Sequence, residues 1–149
     1  MFDETKETNY FSFDNYEVVT VTSNTTLKEP SITLGKGQFY FNAMSIKALD
    51  NVSHVQILMD SANKKLAIRK CDRFEKNSVA WCTQKFSSKK LNSPVFNKKL
   101  FELMNWSEQC TYRCFGKLVQ TEKEELLIFD LSTGKIFVPK EFPKNIEKQ

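Results

Sequence analysis

The run His54–Cys71, HVQILMDSANKKLAIRKC, decides the fold of this chain. Val55, Ile57 and Met59 alternate with Gln56 and Leu58, and Leu66 and Ile68 alternate with Ala67 and Arg69. A period of two puts successive side chains on opposite faces of an extended backbone, so both halves read as strands. Ser61-Ala62-Asn63-Lys64 between them has the length of a short hairpin loop. The reading predicts an antiparallel hairpin, His54–Asp60 against Lys65–Cys71.

Working outward, Ile32–Leu34 and Gln38–Phe41 flank Gly35-Lys36-Gly37, which signals a second hairpin. Asn42 is placed to cap a short helix through Ala43–Leu49, with Met44, Ala48 and Ile46 facing inward. The β-branched run Tyr16–Thr22 (YEVVTVT) reads as a further strand. Val79-Ala80-Trp81 reads as a short strand inside an otherwise irregular region. Pro94 precedes a helix with Phe96, Leu100, Leu103 and Met104 at i, i+4, i+7 and i+8, one face of a helix that ends near Asn105. That stripe, with Trp106, reads as core. Cys110–Gln120 is expected as a strand bent at Gly116. Glu125–Leu131 (ELLIFDL) is apolar on both faces and belongs at the centre of a sheet. Gly134 turns the chain into Lys135–Val138. The fold class is therefore α+β: a mostly antiparallel sheet with two short helices in a single domain. The expected boundaries are a flexible acidic tail at 1–12, the domain at 13–140, and a C-terminal tail at 141–149.

Composition narrows the function classes. The chain has 149 residues, 40% of them hydrophobic and 27% charged, which is ordinary for one globular domain. It has no apolar run long enough to span a bilayer as a helix and no signal-like N-terminus, so a cytoplasmic location with reduced cysteines is expected. Charge is uneven. Lys64–Lys99 carries eleven basic residues against Asp72 and Glu75, a net +9, while the whole chain is +4. No acidic residue falls between Lys76 and Phe101. Such a block sets up a positive field that attracts polyanions or an acidic protein face. Lys70, Arg73, Lys76, Lys85, Lys89, Lys90, Lys98 and Lys99 are the candidate basic contacts, and Trp81 and Phe86, in the irregular region, the candidate exposed aromatic contacts. The alternative is a solvated lysine surface that serves solubility. Met1–Glu17 is net −4, either a solvated tail or one that folds over the basic block and competes with its ligand.

Catalytic and metal chemistry finds little footing. His54 is the single histidine, so a histidine pair is excluded. Cys71 and Cys82 lie eleven apart, and Cys110 and Cys114 four apart. Four positions along a strand separate two cysteines by about 13 Å, too far for one zinc. Gly35-Lys36-Gly37 lacks the four-residue spacing and the following Ser/Thr of a Walker phosphate loop. No enzyme activity, metal or cofactor is expected.

Two resemblances add to this. SITLGKGQFYFNAMSIKAL, VQILMDSANKKLAIRKC, LFELMNW, YRCFGKLV and LLIFDL together resemble small proteins encoded on phages, plasmids and conjugative elements of Firmicutes, over residues 31 to 131. That family carries no assigned activity, so the resemblance implies a genetic context. Locally, Gln38–Lys70 is similar to the swapped-hairpin DNA-binding domains of AbrB-type regulators, but it lacks their proline before the helix and their Gly-Asp pair after it.

The expectation is a non-enzymatic binding protein of a mobile element. Its leading form is an accessory inhibitor that docks on a host nucleic-acid-processing complex, as anti-CRISPR proteins do. The alternatives are a DNA-binding transcriptional regulator and an interaction module without nucleic-acid contact. Expected partners are a host protein or ribonucleoprotein complex, or nucleic acid directly, with a homodimer possible and no membrane.

Overall fold

The computed structural model describes residues 12, 14–19 and 28–137. Residues 141–149 and all but Ser12 of the expected N-terminal tail lie outside that range. The first elements are the hairpin β1 (Ser31–Gly35) and β2 (Gln38–Phe41), joined by Lys36-Gly37. Both turn residues have positive φ, 55° and 74°. That is the conformation whose twist matches the flanking strands, and glycine adopts it without steric cost. Helix α1 (Ala43–Ala48) follows, capped by Asn42, whose Oδ1 accepts from the backbone N–H groups of Ser45 and Ser31. Its inward residues are Ser45 and Ile46, with Leu49 just beyond, while Met44 and Ala48 are only half-buried. The helix has too few turns for its apolar spacing to specify one face.

The hairpin β3 (His54–Asp60) and β4 (Lys65–Lys70) forms in the expected register, with Ile57 opposite Ile68. Two-residue strands β5 (Val79–Ala80) and β6 (Leu91–Asn92) bracket the irregular segment. Helix α2 (Pro94–Met104) begins with proline at its first turn, where no N–H is needed, and ends on Asn105 in the left-handed conformation. Its most buried residues are Asn97, Leu100 and Phe101, and Phe96, Leu103 and Met104 pack at the margin. Strands β7 (Tyr112–Gln120) and β8 (Glu125–Asp130), a 3₁₀ turn (Leu131–Thr133) and β9 (Lys135–Ile136) complete the described chain.

All strand pairs are antiparallel, in the order β5-β3-β4-β8-β7-β1-β2-β6, with β9 on β7. The result is a mostly antiparallel half-barrel with few helices. β8 lies between β4 and β7, the central place its apolar sequence predicts. The register is staggered at β7. Tyr112–Phe115 pair with β1, and Gly116–Gln120 pair with β8 on the opposite edge. Gly116 sits just past the start of β1, its N–H on the carbonyl of Pro30. A Cβ there would lie 2.8 Å from the ring of Phe129, so only glycine fits without displacement. Tyr16–Val19 is not in a strand; Val18 is 97% exposed and Val19 71%.

The concave face encloses the core. Ile32, Leu34, Phe41, Leu66, Ile68, Leu127 and Phe129 point into it from four strands, and Ile46, Leu49, Leu100 and Phe101 close it from the helices. Trp81 belongs to this core and not to the surface. It is fully buried, donates Nε1–H to the carbonyl of Val52 at 2.7 Å, and meets Phe41 edge-on. The irregular backbone around it gave no periodicity from which burial could be read.

Candidate functional site

The outer face of β1, β2 and β7 is built by alternation. Ile32, Leu34, Phe39, Phe41, Tyr112 and Cys114 face inward, so Thr33, Tyr40 and Arg113 face outward. Pairing lines them up across the sheet: Tyr40 opposite Thr33, Thr33 opposite Arg113, Arg113 opposite Lys135. Arg113 is held at three points. Its Nε donates to Thr33 Oγ1 at 3.0 Å, its Nη2 donates to the Tyr40 hydroxyl at 3.3 Å, and its guanidinium lies 3.7 Å from the centroid of the Phe137 ring. Phe137 is fixed by its own N–H on the carbonyl of Thr111. A guanidinium so oriented has lost much of its rotamer freedom before any ligand arrives.

One shallow groove adjoins this row, and a second meets the first at Lys36. The first, about 210 Å³, is lined by Thr33, Lys36, Gln38, Tyr40, Lys90 and Phe137 among others. The second, also about 210 Å³, is lined by Lys36, Gly37, Pro94, Asn97, Lys98, Phe101 and Glu108. Lys36 at the hairpin tip borders both, and so links Lys90 to Lys98. Asn97 is 4% exposed; its Nδ2 donates to the carbonyl of Gln38, and its Oδ1 is buried without a partner. Among the described residues the ion pairs are Arg69–Glu124, Lys70–Asp50 and Lys70–Glu125. None involves Lys36, Lys90, Lys98, Arg113 or Lys135. These five cations form the candidate site.

The sequence-expected basic residues divide three ways. Lys70 ends β4 between two carboxylates, Asp50 at 2.5 Å and Glu125 at 3.6 Å, and the hydrogen bond to Asp50 holds its ammonium above the usual lysine range. Arg73 and Lys76 lie in the turn after β4 with Asp72 and Glu75, and Arg73 sits over the exposed ring of Phe74. Lys85 and Lys89 are on the exposed loop before β6, where Phe86 is half-exposed at the tip. Lys99 is exposed on α2. Only Lys90 lines a groove with the Arg113 row; Lys98, on α2, lines the next groove, beyond Lys36 and beside Glu108. Lys36, Arg113 and Lys135 escaped the sequence reading because they are far apart in the chain and outside the lysine-rich block. The one local signal was Arg113, outward between two inward residues of YRC.

No family model, curated protein or solved structure matches this chain. The chemistry of its side chains therefore carries the reading.

The four thiols are free. Burial pushes the Cys71 and Cys82 thiols up, and that of Cys114 to about 12. These thiols are protonated at neutral pH and poor nucleophiles. His54 rests its Nδ1 at 2.8 Å from Ser53 Oγ on the protein edge. No three His, Cys, Asp or Glu residues among those described are grouped to hold a metal. No described helix is long and apolar enough to cross a membrane.

Proposed function

We propose that this chain is a non-enzymatic, cytoplasmic binding protein that docks on a nucleoprotein complex by gripping its exposed nucleic acid. The grip is the face of Lys36, Lys90, Lys98, Arg113 and Lys135. The observation that carries this is Arg113: a guanidinium pre-set by Thr33, Tyr40 and Phe137 with no carboxylate partner among the described residues. A buried or stacked arginine normally finds an anion within the protein; here the anion is left to a ligand. Lysines around a fixed arginine hold phosphates without reading bases, so binding is expected to be tolerant of sequence. The ring of Phe137 and the phenol of Tyr40 offer faces for an unstacked base.

A sequence-reading regulator is less favoured by the Gln38–Lys70 module. Its two central cations are already engaged, Arg69 with Gln56 and Glu124, Lys70 with Asp50 and Glu125. The suppressed thiols and the single histidine support a binding role over a catalytic one. The test is anisotropy titration of labelled single-stranded and duplex oligonucleotides of mixed sequence. Five phosphate contacts give a log–log salt slope of about −3.5 on single strands and about −4.5 on duplex. Absence of binding to either at low salt would refute the proposal.

A further inference from the structure

Among the described residues the half-barrel does not close. Its path begins at β5 and β3 and ends at β2 and β6, and a groove of about 420 Å³ lies between the two ends. Phe39, Ile57, Val79, Leu91 and Phe96 give that groove its apolar part, and Asn77, Ser78, Asn92 and Ser93 line the rest.

One wall of it is an unused strand edge. His54 receives the N–H of Cys71 on the β4 side, and Ser53 receives the N–H of Trp81 on the β5 side. By alternation, Val55, Ile57 and Met59 direct their backbone groups away from β4. Val55 pairs with Val79 of β5, and there the strand partner ends. Ile57 and Met59 make no backbone hydrogen bond on that side among the described residues. An edge of this kind is a template for another strand, with main-chain bonds giving affinity and alternate side chains entering the groove.

The same chain carries a segment of matching chemistry. Tyr16–Val19 opens the β-branched run YEVVTVT, and Val18 and Val19 stand in solvent instead of on a sheet. Exposed valines in a strand-forming sequence match an open edge whose groove has an apolar part. Charge agrees: Asp14 and Glu17 flank the valines, while Lys76 and Lys90 flank the short edge strands beside the groove.

The geometry points to strand exchange between two copies: the Tyr16–Val19 segment of one chain adds to the free Ile57–Met59 edge of a second. In the single chain those valines are left exposed, which is why a second copy is the occupant. The pairing is reciprocal and gives a closed twofold dimer.

Light scattering on the eluting full-length protein, over a concentration series, reads this directly. The wild type is expected to shift from monomer to twice the monomer mass as concentration rises. Val18→Asp, on an exposed segment that leaves the fold alone, is expected to hold the mass at monomer. So is Met59→Pro, which removes an unused N–H; proline is tolerated at such an edge position. Circular dichroism is expected to show both variants folded. A wild type that remains monomeric throughout overturns the inference. A dimer that survives Val18→Asp overturns it too, and one that survives both Met59→Pro and a charged Met59→Lys puts the interface elsewhere and does the same. A monomeric mass with the valines nevertheless protected from exchange identifies the chain's own segment as occupant and overturns the two-copy form.

Discussion

Replacing Trp81 separates a core role from a contact role. Trp81→Phe removes the Nε1–H donor and leaves the carbonyl of Val52 with only the weak Cys82 thiol at 3.7 Å. A buried hydrogen bond of this kind is worth about 1 kcal/mol, and the orphaned acceptor raises the loss to about 2 kcal/mol. Trp81→Ala also deletes the edge-on contact with Phe41, worth about 1 kcal/mol. With the cavity left at a fully buried site it should reach about 4 kcal/mol, inside the usual 3–5 kcal/mol range. Urea unfolding followed by circular dichroism measures both, and the Ala variant should lose about 15 °C of Tm at roughly 4 °C per kcal/mol. Nucleic-acid affinity of the folded Phe variant should be unchanged, because Trp81 lies inside the barrel. A cost below about 1 kcal/mol for the Ala variant, joined to weaker binding, would refute this placement.

Other substitutions probe the scaffold. Gly116→Ala puts a methyl 2.8 Å from the Phe129 ring and is expected to cost about 1–3 kcal/mol in urea unfolding, since a core ring must move. Cys114 gives a pH test. Its thiol is raised to about 12 in the folded state, so the neutral form is favoured by folding. Its contribution is full below the unfolded thiol pKa and is lost as pH rises toward 12, at up to about 1.4 kcal/mol per pH unit. Cys114→Ala should abolish that share of the alkaline slope in unfolding free energy measured from pH 8.5 upward. Lys70→Gln breaks two ion pairs on a side chain 38% exposed, and a change within about 1 kcal/mol is expected. It should leave oligonucleotide affinity nearly unchanged, measured by the same anisotropy titration.

The hairpin at His54–Lys70 was legible because a half-buried strand pair writes its two faces into alternate residues. So were the Gly35-Lys36-Gly37 turn and the central place of ELLIFDL. Short elements were not: α1 has six residues, too few to distinguish Ile46 from Met44, and β6 has two. Phe101 does not stand out on α2 because Leu103 and Met104 fit the same stripe, though Asn97, Leu100 and Phe101 are the buried residues. Tyr16–Val19, the described part of YEVVTVT, shows strand chemistry without a strand, since β propensity needs a neighbouring edge to act on. At the candidate site the lysine-rich block was visible, but its charges divide among three places. Lys36, Arg113 and Lys135 converge through pairing of β1, β7 and β9, which no local pattern reveals.

The most direct test of the central claim is the salt dependence of oligonucleotide binding by wild type and by the double variant Lys36→Gln, Arg113→Gln. Loss of two phosphate contacts should weaken binding on all sequences alike and shallow the log–log slope by about 1.5–2. An equal change produced by Lys85→Gln, Lys89→Gln, with the Lys36 and Arg113 pair without effect, would contradict it and move the grip to the loop before β6.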